Sequence, residues 1–367
     1  MFIDLVLTIL ISINTFLFGF LAAFLLLRKI GPLMARYLLV SFFLSWVAIL
    51  LEAMGLIGGF LQSYPRLAFW GSSLIWIQGP LIYLFTRSLT NPQQAWKNRD
   101  WLHFLPGLLV LLLTQIGFQN LTPERQLYVI EASQTSGAVP VILGTLVFFG
   151  YVSVYLWQSW RLTQRYQRLL KNEYATIEGK SLRWLYLMIG SFSLVLLIAA
   201  LQNAARFYFP HVLTFAQILV FLAVLLFATR LVLQFMDHQP LAFLAELPDS
   251  AMIAVDREPE KQSLMHFMAS HAPFLDPDLS LAGLAERLDT EPRTLSQLIN
   301  QGFEQSFFDF INSQRIDYAC KRLRSTTAKE RNVTEIMYES GFNSKSSFNT
   351  AFKKYTQMTP SQYRKNN

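Results

Sequence analysis

Six runs of the chain, residues 5–27, 67–86, 101–123, 132–160, 184–205 and 207–229, contain no Asp, Glu, Lys or Arg. Each is at least as long as the ~20 residues an α-helix needs to cross the hydrocarbon of a bilayer. Residues 37–60 form another such run, broken only by Glu52. The pattern predicts seven spans, over 3–27, 37–60, 67–86, 102–119, 138–158, 184–202 and 212–234. After about residue 236 the apolar runs stop, and hydrophobic positions recur at the three- and four-residue spacing of amphipathic helices on a soluble domain.

Charge orients the spans. Thirteen Lys and Arg residues fall on the side of the loops after spans one, three, five and seven, whereas only Arg66, Arg125 and Arg206 fall on the other. The positive-inside rule then puts the N-terminus outside and the C-terminal domain in the cytoplasm. The first run is not expected to be a cleaved signal, because Asp4 precedes it and its basic residues follow it. Residues 310–367 hold 11 basic and 4 acidic side chains, so this stretch suits a polyanionic partner.

Within the tail, the pattern predicts helices over 261–270, 281–288, 292–301, 306–324, 333–340 and 345–356. Ser280 and Ser344 stand at N-cap positions. Two short helices around a tight turn occur twice, separated by one long helix of about 28 Å at 1.5 Å per residue. Such a spacer suits two recognition helices entering successive major grooves about 34 Å apart. In the second unit Phe348, Ala351, Phe352 and Tyr355 form the apolar stripe.

The run GFNSKSSFNTAFKKYTQMTPSQYRK, residues 341–365, closely resembles the signature of the AraC/XylS transcription factors. The runs SLAGLAERLDTEPRTLSQLIN and FFDFINSQRIDYACKRL resemble the first helix-turn-helix and linker helix of that family. The resemblance covers about 260–365 and implies a monomeric domain with two helix-turn-helix units on adjacent major-groove segments. More loosely, the membrane half resembles the seven-span sensor regions fused to such domains. Two departures from the family pattern concern glycine, with Glu304 and Gln357 standing where it usually has Gly after each recognition helix, and Glu291 also stands where many members have a Ser N-cap.

The expected fold is therefore all-α: a seven-helix membrane bundle over 1–236, a linker over 237–259, and an AraC-type DNA-binding domain over 260–367. Base contacts are expected from Arg293, Gln297 and Asn300 on the first recognition helix and Lys345, Ser346, Asn349 and Thr350 on the second. Lys353 and Lys354 are the expected phosphate contacts, and Arg315 is as suited to structure as to DNA. In the membrane half, Glu52, Gln78, Asn203, Arg206 and Gln217 are candidates for a polar signal site near the outer face. Expected partners are double-stranded DNA, the lipid bilayer, a small-molecule or lipid signal, and a second copy in a homodimer. No cofactor or metal is expected, since the five histidines and lone Cys320 have no zinc-ligand spacing and no catalytic signature occurs. A membrane-bound transcription regulator is thus expected rather than an enzyme. The alternative is a transporter or channel with a regulatory or anchoring tail.

Overall fold

The computed structural model describes residues 2–28, 32–91, 96–135, 139–177, 182–208, 213–237, 258–324 and 332–366. The described residues are all-α, without a sheet. They divide into two compact units: Met1–Gln164 with Leu182–Glu246, and Arg165–Ser181 with Leu247–Asn367. The expected linker lies, over 238–257, outside the described residues.

The first unit contains α1 (Phe2–Arg28), α2 (Leu33–Ile57), α3 (Phe60–Ser63), α4 (Trp70–Ser73), α5 (Gln78–Thr90), α6 (Leu105–Gln119), α7 (Pro123–Thr135), most of α8 (Val139–Glu173), α9 (Arg183–Tyr208) and α10 (Leu213–Asp237). Among the described residues five stretches are long and apolar enough to cross a membrane: Ile3–Arg28, Leu33–Ile57, Pro65–Thr90, Asp100–Gln119 and Trp184–Asn203. Gln217–Leu233 is apolar but shorter, and the expected span 138–158 falls, from residue 139 onward, in the 35-residue α8.

Helix α1 packs along α2 and α10, α10 along α9, and α2 along α5. The seam between them is aromatic, with Phe18 stacked on Trp46 at 5.4 Å and Phe42 edge-on to Phe192 at 5.6 Å. Asn14 ties α1 to α10 by donating its amide to the Phe221 carbonyl at 3.2 Å.

The third predicted span is not one helix. Phe69 adopts a left-handed φ of 66°, and the chain proceeds through α4 and a 3-10 turn at Leu74–Ile77 before α5 begins. The broken segment lies so close to α2 that a Cβ on Gly71 would meet the Ala48 carbonyl oxygen at 2.4 Å. Farther along, Arg87 at the end of α5 pairs with Asp100, and both side chains are largely buried. Asp100 also accepts the Lys97 backbone N–H.

The second unit contains the end of α8, α11 (Glu258–His271), α12 (Leu281–Arg287), α13 (Pro292–Gln297), α14 (Phe307–Arg324), α15 (Val333–Glu339), α16 (Lys345–Thr356) and α17 (Pro360–Asn366). Helix α14 serves two cores. Phe307, Phe310 and Ile311 pack with Leu264, Leu284, Leu295 and Ile299, whereas Ile316, Ala319 and Leu323 pack with Ile336, Phe348 and Phe352. Glu304 and Gln357, which replace the family's usual glycines, both hold the left-handed conformation, at φ 53° and 59°.

Two stability outcomes follow. Removing Asp100 leaves the Arg87 guanidinium buried without its carboxylate, so Asp100→Ala should destabilise the full-length protein in detergent by about 3 kcal/mol. A lowered Tm checks this, and an unchanged one contradicts it. Left-handed backbone costs a residue with a Cβ about 1 kcal/mol. Gln357→Gly should therefore slow hydrogen exchange of the last-turn amides of α16, and unchanged or faster exchange would contradict that account.

Candidate nucleic-acid interface

The first unit of the interface is α12 and α13 with a tight turn between them. Ser280 caps α12, its hydroxyl accepting the Gly283 N–H at 3.1 Å. The turn places Asp289 at φ 50°, and Pro292 then opens α13, where its missing N–H costs nothing. Glu291 occupies the N-cap without a side-chain bond.

Helix α13, the expected recognition helix, is α-helical only through Gln297, after which Leu298–Gly302 winds as a π-turn. This wider winding removes Asn300 from the α-helical register that placed it with Arg293 and Gln297. Its amide is spent inside the helix, donating to the Ser296 carbonyl at 2.9 Å and to Ser296 Oγ at 3.2 Å. Arg293 is exposed, and Gln297 is half-buried.

The second unit matches its sequence pattern more closely. Asn332 and Glu335 form a reciprocal capping box on α15. The turn that follows needs Gly341, at φ 81°, because a Cβ there would meet the Phe274 carbonyl oxygen at 2.7 Å. Ser344 caps α16 by accepting the Ser347 N–H at 3.2 Å. Phe348 and Phe352 face the core, with Ala351 and Tyr355 packed at its margin. Lys345, Ser346, Asn349, Thr350 and Lys353 are exposed along the opposite face.

Lys354 is exposed too, but its ammonium pairs with Asp309 of α14 at 2.6 Å, and Tyr355 donates its hydroxyl to the Asp309 carbonyl at 2.9 Å. The hydrogen bond to Asp309 raises the Lys354 pKa. Lys354 thus anchors α16 to α14, a role that sequence reading assigned to no residue.

Arg315 is a structural residue. It is 1% exposed, and its guanidinium donates to the carbonyls of Phe274 at 2.7 Å and Asp276 at 2.8 Å. It also lies 5.5 Å from the centre of the Phe342 ring, so one side chain joins the first core to the second helix-turn-helix. Lone Cys320 packs against the second core, and burial pushes its thiol pKa up.

The candidates in the apolar half are not gathered into one site by described contacts. Glu52 accepts from Ser72, at 2.9 Å from its N–H and 2.8 Å from its hydroxyl, which fastens α2 to the broken third span. Gln78 is buried and donates to Ser45 Oγ at 2.9 Å. Asn203 bonds the Ala199 carbonyl of its own helix, and Gln217 is half-buried on α10. The side chain of Arg206 lies outside the described residues. A groove of about 450 Å³ between α8 and α9 is instead apolar, lined by Phe149, Leu156, Trp157, Trp160, Ile189 and Leu197 among others, and by none of these five. A polar cluster missed by sequence reading joins His103 Nδ1 to the Tyr155 hydroxyl at 3.0 Å, beside the Arg87–Asp100 pair. Among the described residues no group of three or more His, Cys, Asp or Glu side chains is arranged to hold a metal.

Uncharacterized HTH-type transcriptional regulators from two Staphylococcus aureus strains, COL and MSSA476, are each 36% identical to this chain over 87 residues. That alignment covers 24% of this chain and 11% of each relative, so the chain spans about a tenth of the length of these relatives. A solved Listeria innocua protein of unknown function is 30% identical, covering 29% of this chain and 97% of its own, with a TM-score of 0.26. Residues 284–366, which contain α13, α14 and α16, match the family model described as a helix-turn-helix domain.

Proposed function

We propose that this protein is a membrane-bound, one-component transcription regulator whose cytoplasmic tail reads DNA and whose apolar half receives the signal. One observation carries the reading: two helix-turn-helix units, each presenting a polar recognition face, share the single linker helix α14. At 18 residues that helix is about 27 Å long, a spacing compatible with adjacent major grooves on one DNA face. Relatives named as transcriptional regulators support the same reading. The apolar helices and the asymmetry of loop charge support a bilayer location with the tail inside.

Roles divide by position. Arg293 and Gln297 on α13, and Lys345, Ser346, Asn349 and Thr350 on α16, are the proposed base readers. Lys353 is the proposed phosphate contact, while Lys354 is committed to Asp309. Asn300 would first have to release Ser296 before it could bond a base. In the membrane half Glu52 and Gln78 act as fasteners between α2 and the third span, so a signal that loosens that span would act through them.

The interface assignment is tested by substitutions in the full-length protein, with binding to recovered genomic sites compared with binding to random DNA. Arg293→Ala and Asn349→Ala should each cost about 1–3 kcal/mol of specific binding. Lys353→Ala should weaken all sequences alike and reduce the salt slope by about one. Equal effects on specific and random DNA from all three would overturn the assignment. For orientation, alkaline phosphatase fused within 120–136 should be active and fused at residue 240 inactive. The reverse pattern contradicts the proposed topology.

A further inference from the structure

The connection between the fifth and sixth predicted spans, 159–183, carries six Lys and Arg residues and reads, by sequence, as an ordinary cytoplasmic connector. The structure uses it differently. Helix α8 continues unbroken to Glu173, and residues Arg165–Ser181 belong to the DNA-binding unit. Tyr174 forms an antiparallel bridge with Ser280, and Ala175 donates its N–H to the Leu279 carbonyl at 3.2 Å. The Ala175 side chain is 1% exposed and is part of the first core, among Leu279, Leu281 and Phe310. Its carbonyl lies 3.5 Å from the Asn312 amide. Thr176 Oγ1 accepts from Arg315 at 3.1 Å, and Ile177 is buried.

These contacts fall on critical positions. Ser280 is the N-cap of the first helix-turn-helix, and Arg315 is the side chain that joins its core to the second. Three consecutive residues, Tyr174, Ala175 and Thr176, therefore touch between them the start of α12 and the buried guanidinium. A buried donor deprived of its acceptor costs more than an ordinary hydrogen bond contributes. Withdrawing Thr176 therefore penalises the arrangement of α14 that holds the two recognition helices together.

We infer that Tyr174–Ile177 is a working part of the DNA-binding domain, supplied by the α8–α9 loop. Through this segment, rather than through the 237–259 linker alone, the membrane half sets DNA-binding competence. The docking partner is fixed by chemistry: a short extended segment with a small residue for the core, a backbone N–H for Leu279 and a hydroxyl for Arg315. The regulatory half of the inference rests on the reading of the chain as a membrane-bound regulator, but the docking half does not.

The experiment therefore has two arms, both on the full-length protein in membranes. In the first, Tyr174→Cys and Ser280→Cys are combined with Cys320→Ser. Antiparallel bridge partners stand ~4.5–5.5 Å apart at Cα, within disulfide range. After mild oxidation, and cleavage at a protease site placed in 238–257, the two fragments should migrate together until reduced. A control pairing Tyr174→Cys with Lys345→Cys should separate. Separation of the Tyr174/Ser280 pair would overturn the docking, whether or not the protein binds DNA.

In the second arm, binding to the sites recovered by genome-wide crosslinking is measured for Thr176→Val and Thr176→Ser. Val removes the acceptor at nearly constant volume and should weaken binding about tenfold, whereas Ser should restore it. Wild-type affinity for Thr176→Val, or equal loss for Val and Ser, would overturn the functional role. Absence of DNA binding by the wild type would defeat the regulator reading and this role with it, while the disulfide would still form.

Discussion

The buried guanidinium of Arg315 is the interaction on which the DNA-binding unit depends. A charged group removed from water must be met by hydrogen-bond acceptors, or its burial is costly. Here the acceptors come from separate parts of the chain: the Phe274 and Asp276 carbonyls after α11, and the Thr176 hydroxyl from the α8–α9 loop. With Phe342 beneath the same guanidinium, the position of each helix-turn-helix relative to α14 becomes a condition for satisfying one side chain. Gly341 reinforces this constraint, since its backbone must pass against Phe274 where a side chain would collide.

Around that point the two cores divide the work of α14. Its N-terminal aromatic residues complete the first core, and its C-terminal small and aliphatic residues complete the second. The Lys354–Asp309 pair and the Tyr355 hydroxyl bond add a second tie between α16 and α14. An exposed ion pair contributes little energy by itself, but it restricts the direction in which α16 presents Asn349 and Thr350. A rigid spacer, two shared cores and a fixed presentation of α16 are what reading two grooves with one polypeptide requires.

Much of this was legible from local pattern. Helix α16 was readable to the residue, because Ser344 caps it, Phe348 and Phe352 repeat at helical spacing, and its polar face is uninterrupted. What escaped were long-range contacts and changes of winding. Nothing in the spacing of Arg293, Gln297 and Asn300 announces a π-turn after Gln297, so the three looked like one face. Lys354 looked like another free cation because its partner lies 45 residues away. The pairing of Arg87 with Asp100 likewise has no signal in spacing and arises from burial of both side chains. The Tyr174–Ile177 segment is too short for any period, and its meaning arises only from residues more than a hundred positions later. In the apolar half, hydrophobic runs located the helices, but the third is broken at Phe69 and pressed against α2 at Gly71 in a way hydropathy does not register.

The central claim is that one chain, held in a bilayer, reads two adjacent groove segments through a tail braced on α14. The most direct measurement is a chemical-protection footprint of the full-length protein in lipid nanodiscs on a site recovered from cells. The account predicts two protected major-groove segments about one helical turn, roughly 10 base pairs, apart on the same face of the DNA. Protection of a single segment, or of none while the protein remains folded in the nanodisc, would contradict it.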